Sequence, residues 1–475
     1  MSLLAEQIEV LDQMTALELR GTVAEVRGLA LRVADLPVPV GAMVRIVGKA
    51  SSSLTRRTGA LNASPSASVL GEVIGFDRAH TLVMPLGAIA GIRPGDQVIA
   101  EQHSQQVRVG DSLLGRVLDG FGRPIDGHGP LAETLPRPLN PTPVDPLQRP
   151  TLDQPLATGT RAIDAITSVA RGQRLGVFAA PGVGKSTLLG SIARHTAADV
   201  SVIALVGERG REVRDFIENV LGPEGLKRSV VVCATSDEPA LLRMRAAMVA
   251  SSVAEHFRDQ GLDVLLVMDS VTRFCQAQRQ IGLAAGEPPA TRGYPPSVFA
   301  MLPALLERSG RTAAGSITGL YAVLVEGDDM DEPIADACRG VLDGHVLLSR
   351  HLAEQGHYPA IDVLGSISRV ANDVTSKEHQ TARRELLKLV SAYRQVEELL
   401  NVGAYAQGSN TDFDVAIACK PMIDQLLQQG GSEVRGRADF ATTQAQLLAL
   451  AQQIQQVRKQ STQTGRRQPV TGPRG

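Results

Sequence analysis

The chain has 475 residues, of which 43% are hydrophobic and 21% are charged, and its formal net charge at pH 7 is −2. A soluble globular protein has this balance, and the length predicts about three domains. The low net charge argues against an indiscriminate binder of polyanions, and the absence of Trp argues against a platform that stacks single-stranded bases. Nucleic acid is therefore not an expected partner.

Residues 1–17 would place Leu4, Ile8 and Leu11 on one face of a helix, with the acidic residues elsewhere. We expect either a helix that docks a partner or a terminus that frays or packs on its own domain. This terminus lacks the basic region of a signal peptide, and the sequence has no run of about 18 unbroken apolar residues. We therefore expect any membrane association to come through partners.

Residues 18–100 consist of short alternating runs, such as 22–26 and 29–33, which are separated by glycine and proline turns. This pattern predicts a small N-terminal β-barrel or sandwich. Residues 101–155 then form a linker that leads into the next domain. Its proline-rich part, from Pro136 to Pro155, indicates a domain boundary.

From residue 156 to 370, apolar runs of strand length alternate with helical patterns. This alternation predicts an α/β domain with a mostly parallel sheet and helices on both faces. The four cysteines of the chain are too far apart for C-x-x-C metal ligation. We expect Cys233, Cys275, Cys338 and Cys419 to be reduced, mostly buried thiols of a cytosolic protein.

The most informative run of the α/β domain is Ala-Ala-Pro-Gly-Val-Gly-Lys-Ser at 179–186, which follows an apolar run at 175–178. In a phosphate-binding loop, small residues let backbone N–H groups converge on phosphate oxygens, a lysine neutralises the terminal phosphates and a hydroxyl ligates Mg²⁺. Ala179 stands where the usual pattern has its first glycine. The residues predicted to contact the nucleotide are Ala180, Pro181, Gly182, Val183, Gly184, Lys185, Ser186 and Thr187.

Two acidic residues follow other buried runs of the same domain. Glu208 lies just beyond the run 200–206, and Asp269 ends the run 264–268. The carboxyl ends of parallel strands are where α/β sheets bind ligands, so both side chains are expected near the loop. Asp269 suits a magnesium-bound water beside Ser186, although a helix N-cap is an equal alternative when Asp269 is considered alone.

Beyond residue 371 the period of the apolar residues becomes helical. The run Thr-Ser-Lys-Glu at 375–378 indicates a capping box, apolar residues follow at three-and-four spacing, and Gly403 ends the first helix. We expect a C-terminal helical domain over residues 371–458. Residues 459–475 hold four basic residues and no acids, which is typical of a disordered tail.

Three longer motifs carry a family resemblance. They are Gly-Glu-Arg-Gly-Arg-Glu-Val at 207–213, the run 286–297 with its Tyr-Pro-Pro-Ser, and Pro-Ala-Ile-Asp-Val-Leu-Gly-Ser-Ile-Ser-Arg at 359–369. Together with the order barrel, P-loop domain and helical domain, they resemble the rotary ATPase catalytic-subunit superfamily, and within it the export ATPases of type III secretion systems. The resemblance covers residues 20 to 430, and residues 49–67 look like an insertion in the barrel.

The resemblance implies a role for each matching residue. Lys185 and Ser186 hold the β- and γ-phosphates and Mg²⁺, and Glu208 polarises the water that attacks the γ-phosphorus. Arg209 and Arg273 match family positions near the phosphates, with ordinary structural salt bridges as the alternative.

Two further residues acquire a role only through the resemblance. Arg369 is implied to act on the nucleotide of the neighbouring subunit, so that two subunits share each active site. Because one chain carries both Glu208 and Arg369, a homo-hexamer is sufficient to complete every site. Tyr358 resembles the aromatic residue that packs against adenine, and an ordinary buried tyrosine is the alternative.

The implied function is hydrolysis of ATP, with Mg²⁺, by a cytoplasmic ring that energises or assists protein export through a flagellar-type type III secretion apparatus. Segments 82–86 and 326–330 favour the flagellar branch over the virulence injectisome branch. The implied partners are a stator-like export regulator at the N-terminus, a coiled-coil stalk in the central channel, and export substrates with their chaperones. The ring would be peripheral to the inner-membrane export apparatus.

Besides the injectisome ATPase, two other functions remain as alternatives. A hexamer that translocates RNA shares the P-loop core but needs a basic, aromatic-rich N-terminal domain, and Phe76 is the only aromatic among residues 1–100. A non-catalytic structural ring subunit keeps the P-loop but does not need the carboxylate of Glu208.

Overall fold

The computed structural model describes residues 18–48, 68–101, 105–325, 327, 329–430 and 436–465. The predicted docking segment 1–17 and the insertion 49–67 lie outside these residues. Within them, no helix is long and apolar enough to cross a membrane.

A closed six-stranded barrel forms the N-terminal part of the described chain, in the order β1-β2-β5-β4-β3-β6. The alternating runs place Val23, Leu31, Val33 and Val44 inside the barrel, where all four side chains are buried. The strands are β1 Arg20–Arg27, β2 Ala30–Ala34, β3 Met43–Val47, β4 Val69–Asp77, β5 His80–Pro85 and β6 Gln97–Glu101.

The segment after the barrel is built into the next domain rather than extended between two domains. Strand β7 (Gln106–Val109) pairs with β9 (Leu135–Pro138), which overlaps the proline-rich part of the predicted linker. Strand β8 (Val117–Leu118) joins the edge of the central sheet beside β14 (Ser229–Thr235). A short pair follows, made of β10 Pro155–Leu156 and β11 Val169–Ala170.

The central sheet has nine strands in the order β19-β18-β12-β17-β15-β13-β14-β8, and β16 pairs with β17 beside this path. Strands β18, β12, β17, β15, β13, β14 and β8 are parallel, and β19 and β16 are antiparallel to their neighbours. The remaining strands are β12 Arg174–Ala179, β13 Val200–Glu208, β15 Asp263–Asp269, β16 Gly310–Arg311, β17 Ser316–Leu324, β18 Gly344–Leu347 and β19 Ile367–Ser368.

Helices cover both faces of this sheet, because its strands are apolar on both sides. On β13, Ile203 joins the core that faces the P-loop helix and the C-terminal helices, whereas Val202 joins the core on the opposite face. The helices of the domain are α1 Arg161–Ile166, α2 Lys185–His195, α3 Gly210–Asp215, α4 Gly222–Lys227, α5 Ala240–Asp259, α6 Val271–Ala285, α7 Pro296–Leu306, α8 Pro333–Val341 and α9 Arg350–Glu354. A π-helix, Phe216–Leu221, joins α3 to α4.

Three helices complete the described chain: α10 Lys377–Asn401, α11 Thr411–Leu427 and α12 Phe440–Gly465. Ser376, and not Thr375, is the N-cap of α10, because its hydroxyl accepts from the backbone N–H of His379, while Thr375 donates to the Ala371 carbonyl. The N3 position is then His379 and not Glu378, so the predicted capping box is wrong. Helix α12 continues to Gly465, seven residues beyond the boundary expected at 458. The fold class, a barrel followed by an α/β P-loop domain and C-terminal helices, is confirmed.

The barrel and the central domain share a small apolar core. Met43 and Met84 of the barrel pack with Leu241 of α5 and with Ala277 and Ile281 of α6.

The four cysteines are free and buried. Burial raises the pKa of the Cys233 thiol to about 12, and it also raises the pKa values of Cys275, Cys338 and Cys419. All four therefore stay protonated at neutral pH, as expected for unreactive core residues.

Candidate active site

The P-loop lies between the end of β12 and the start of α2. Gly182 and Gly184 have φ values of 85° and 89°, a backbone region in which a side chain is strained. Gly184 is also the N-cap of α2, so the loop turns directly into the first turn of the helix, where unpaired backbone N–H groups favour anions. Ser186 and Thr187 are exposed in that turn.

The rest of the loop anchors it to the domain core. Ala180 and Val183 are each 2% exposed, and Pro181 is exposed at the tip. The two buried side chains therefore attach the loop to the core, while its glycines and hydroxyls face outward.

Lys185 brings the two predicted carboxylates together. Its ammonium donates a hydrogen bond to Asp269, and its Nζ lies 4.0 Å from Oε1 of Glu208. Strands β13 and β15 are neighbours, and Leu205 pairs with Asp269, so both acids end at the same edge of the sheet. Their convergence on Lys185 follows directly from the parallel register.

The environment of Glu208 shifts its protonation equilibrium. Burial, and then the nearby charge of Asp269, raise the pKa of Glu208 to about 7, while Lys185 and Arg273 act in the opposite direction. A carboxyl group with such a pKa exchanges a proton near neutral pH, which is the property that a general base requires.

Arg273 lies against the end of β13, whereas Arg209 does not join the cluster. A Cβ at Gly207, where φ is 72°, would lie 3.0 Å from Cβ of Arg273, so the glycine permits this close approach. The Nε of Arg273 is buried and has no hydrogen-bond partner among the described residues. Arg209 has a side chain that is 67% exposed and lies 3.3 Å from Oε1 of Glu212.

A cavity of about 430 Å³ opens beside the P-loop. The half-exposed ring of Tyr358 forms one wall, and its Cε1 would lie 3.6 Å from a Cβ at Gly184. This places Tyr358 next to the phosphate loop, where an aromatic face can stack on a nucleobase. The cavity is lined by Thr160, Gly182, Val183, Gly184, Thr187, Leu188, Ser191, Leu348, Tyr358, Pro359, Ala360, Gln429 and Gly430.

Arg369 lies away from this site. Its backbone N–H donates to the carbonyl of Asp343, and the carboxylate of Asp343 binds the guanidinium of Arg174, the first residue of β12. The six residues of β12 span about 17 Å, and the P-loop follows at the opposite end of that strand. Arg369 is therefore separated from the P-loop of its own chain by the length of a strand.

Asp328, Asp329 and Asp331 belong to an acidic loop that the family resemblance implies to lie near the central channel, with a solvated acidic turn as the alternative, and this loop is described in part. Asp329 accepts a hydrogen bond of 2.9 Å from Arg292, which ties this loop to the run 286–297. Asp331 is exposed, and Asp328 lies outside the described residues.

Thr160, Gln429 and Gly430 are among the cavity residues that sequence reasoning missed. Thr160 immediately precedes α1, and the other two residues follow the end of α11. No motif identifies them, because a glutamine after a helix has no distinctive pattern.

Two parts of the chain match known families. Residues 159–368 match the nucleotide-binding domain of the ATP synthase alpha/beta family. Residues 375–449 match the T3SS EscN ATPase C-terminal domain.

Individual proteins match over most of the chain. The flagellum-specific ATP synthase of Pseudomonas aeruginosa is 49% identical over 423 residues, which cover 87% of this chain and 94% of that protein. The type 3 secretion system ATPase of Xanthomonas euvesicatoria is 48% identical over 409 residues, which cover 86% of this chain and 89% of that protein. The assembled ATPase EscN of enteropathogenic E. coli, solved in complex with its central stalk EscO, has a TM-score of 0.80 at 40% identity and covers 91% of this chain and 100% of that one.

Proposed function

Because the chain belongs to the ATP synthase alpha/beta family, and within it to the group of flagellum-specific ATP synthases and type III secretion ATPases, we propose that it hydrolyses ATP to drive or assist flagellar-type protein export. The observation that carries this proposal is the convergence of Lys185, Glu208 and Asp269 at the mouth of the P-loop. A structural ring subunit that only holds a nucleotide has no need of a partly buried carboxylate with a raised pKa at this place.

The P-loop and the cavity beside it bind different parts of ATP. The backbone N–H groups of the loop and the ammonium of Lys185 bind the phosphates, since these are the positive groups at the start of α2. The cavity takes the nucleoside, with the base against the ring of Tyr358. Arg273, whose Nε has no partner among the described residues, faces the same edge and is available to the phosphates.

Glu208 supplies the base for hydrolysis. The oxygen of a water molecule attacks the γ-phosphorus while Glu208 accepts a proton from that water. The bond between the γ-phosphorus and the bridging oxygen breaks, and ADP keeps that oxygen. ADP and inorganic phosphate are the products, and the proton leaves Glu208 for solvent before the next turnover.

The donor set beside Lys185 fits Mg²⁺. Hydroxyl and carboxylate oxygens are the hard donors that this metal prefers. Ser186, which follows Lys185 in the chain, offers a hydroxyl, and Asp269, which accepts from the Lys185 ammonium, offers a carboxylate. When bound with the nucleotide, Mg²⁺ neutralises phosphate charge. To hold the metal through its bound water, Asp269 would give up its hydrogen bond to Lys185. The ammonium would then be free to bind the phosphates.

The active site is completed by a second copy of the chain. Arg369 lies a strand's length from its own P-loop, so its guanidinium serves the nucleotide of a neighbouring subunit, where it stabilises the charge of the transition state. A homo-hexameric ring gives every site such an arginine. Assembly of the related EscN supports this arrangement, and its complex with the stalk EscO supports a coiled-coil stalk in the channel of this ring.

The remaining partners are a stator-like regulator, export substrates and chaperones, and the ring stands at the cytoplasmic side of the export apparatus. Deletion of residues 1–17 tests the regulator. If the truncated chain still co-purifies with the regulator at full stoichiometry, the N-terminal segment is not its docking site.

The experiment that tests the function is complementation in a bacterium that lacks its own flagellum-specific ATP synthase. The chain should restore filament export, whereas Lys185→Ala should not. Restored secretion through an injectisome without restored filaments would favour the second candidate, because an injectisome ATPase is almost equally similar. Stimulation of ATP turnover by added RNA would contradict both assignments.

A further inference from the structure

We propose that Gln429 is a positioning residue that holds Tyr358 beside the P-loop and couples the nucleoside cavity to the C-terminal helices. The inference rests on the proposed function, because it concerns the affinity of the same site for ATP. It arises from the part of the cavity wall that Gln429 and Gly430 form, in the segment after α11.

Gln429 uses both its backbone and its side chain to join three parts of the chain. Its backbone N–H donates to the carbonyl of Tyr358 at 2.8 Å. Its Oε1 accepts from the backbone N–H of Arg161, and its Nε2 donates to the carbonyl of Gly159, each at 2.8 Å. A glutamine with these bonds has little freedom to move without moving its neighbours.

The bond to Arg161 has a structural role of its own. Arg161 is the first residue of α1, whose N-cap Thr160 makes no side-chain capping bond. The first N–H groups of a helix need an acceptor, and Gln429 supplies one from a different domain. Thr160 also lines the cavity, so the same bond fixes a second part of the cavity wall.

The side chain of Arg161 binds the end of α11 directly. Its Nε donates to the carbonyl of Leu426 at 3.0 Å, and its terminal nitrogen donates to the carbonyls of Gln425 and Gln428. The last carbonyls of a helix are unpaired and carry its negative dipole end, so a guanidinium suits this place. The end of α11 and the start of α1 are thereby locked together around Gln429.

The position of the Tyr358 ring consequently depends on the position of α11. A shift of the C-terminal helices carries Gln429 with it and changes the wall against which the nucleoside packs. By linkage, filling the cavity stabilises the same arrangement of helices. Gln429 is thus the residue through which the helical domain reaches the nucleotide.

The neighbouring glutamine provides a matched control. The side chain of Gln428 is exposed and lies 3.2 Å from Nδ1 of His357, and it does not line the cavity. Only its backbone carbonyl contacts Arg161. Gln428→Ala therefore removes a glutamine side chain from the same segment without removing a bond of the proposed connection.

The test compares two ligands of the full-length chain by calorimetry in the presence of Mg²⁺. ATP fills both the P-loop and the cavity, whereas inorganic tripolyphosphate fills only the P-loop. Gln429→Ala and the volume-conserving Gln429→Met each remove two side-chain hydrogen bonds, so we expect the Kd for ATP to rise about five- to tenfold and the Kd for tripolyphosphate to stay unchanged. Gln428→Ala should change neither Kd.

A double-mutant cycle with Tyr358→Ala identifies the route of the effect. If Gln429 acts through Tyr358, adding Gln429→Met to Tyr358→Ala should weaken ATP binding by much less than it does in the wild-type chain. Equal losses for ATP and tripolyphosphate, no loss for ATP, or fully additive losses would each overturn the inference. ATP turnover of the wild-type chain is measured alongside, because its absence would instead contradict the proposed function.

Discussion

Lys185 donates a hydrogen bond to Asp269, so the ammonium of the phosphate-binding loop is paired with the carboxylate that suits the metal. The Asp269 side chain is 2% exposed, and such a buried carboxylate requires a positive partner. We propose that ATP gives Lys185 a new partner in its phosphates, and that Mg²⁺ with its bound water gives one to Asp269. On this proposal, the Lys185–Asp269 pair exists between turnovers and is broken when the substrate binds.

Replacement of Glu208 should separate catalysis from binding. Glu208→Gln keeps the shape of the side chain and removes the base, so we expect kcat to fall by about a hundredfold or more while ATP affinity is retained. The measurement is steady-state turnover beside binding of a fluorescent ATP analogue. Glu224→Gln is the control, because the Glu224 side chain is 75% exposed and pairs with Lys227 instead of joining the cluster. A loss of only a few-fold for Glu208→Gln would identify this residue as an ordinary acid at a strand end.

The pH dependence of kcat/KM should carry an acid limb. Glu208 must be ionised to accept a proton, and its pKa is raised to about 7 by burial and by Asp269. Activity should therefore be full above that pH and fall as the pH drops through it, about tenfold per unit at the low end. A profile of kcat/KM between about pH 5.5 and 8.5 checks this. A limb near the ordinary glutamate value would show that Glu208 is not the titrating base.

Asp269→Asn should have two effects from one lost charge. The Mg²⁺ concentration for half-maximal turnover should rise, because a neutral amide holds a magnesium-bound water less strongly than a carboxylate does. The acid limb should also move to lower pH, since the charge of Asp269 raises the pKa of Glu208.

A control variant exists on the same strand. Asp263 begins β15, pairs with Arg171 and accepts from the Ser316 hydroxyl, at the edge opposite the P-loop. Asp263→Asn should lower stability without changing the Mg²⁺ dependence. If both variants alter that dependence alike, the effect of Asp269 is structural.

Sequence reasoning located the centre of the site because strand ends are predictable. The apolar runs before Glu208 and Asp269 end at those residues, and parallel register then brings both acids to Lys185. Such an inference needs only local patterns and one rule about sheets. Their catalytic roles stay predictions until the variants are measured.

Other parts of the site depend on tertiary contacts that no local pattern encodes. Gln429 reaches the cavity because Arg161 binds the end of α11, more than two hundred residues away in the sequence. The direction of the Arg209 side chain is likewise set by the turn into α3, which leaves it exposed beside Glu212. Tyr358 entered the prediction only through the family resemblance, since a lone tyrosine before a proline has no pattern of its own.

The most direct test of an active site shared between chains is ATP turnover by a mixture of two inactive variants. Lys185→Ala removes the ammonium expected to bind phosphate, and Arg369→Ala removes the guanidinium proposed to serve the neighbouring subunit. In a mixed ring, the P-loop of an Arg369→Ala subunit meets the intact Arg369 of a Lys185→Ala subunit, so some sites are complete. We expect each variant alone to be inactive at every protein concentration, wild-type turnover to rise steeply with concentration, and the equimolar mixture to regain activity. A mixture that stays inactive while wild-type turnover is independent of concentration would contradict a site shared between chains.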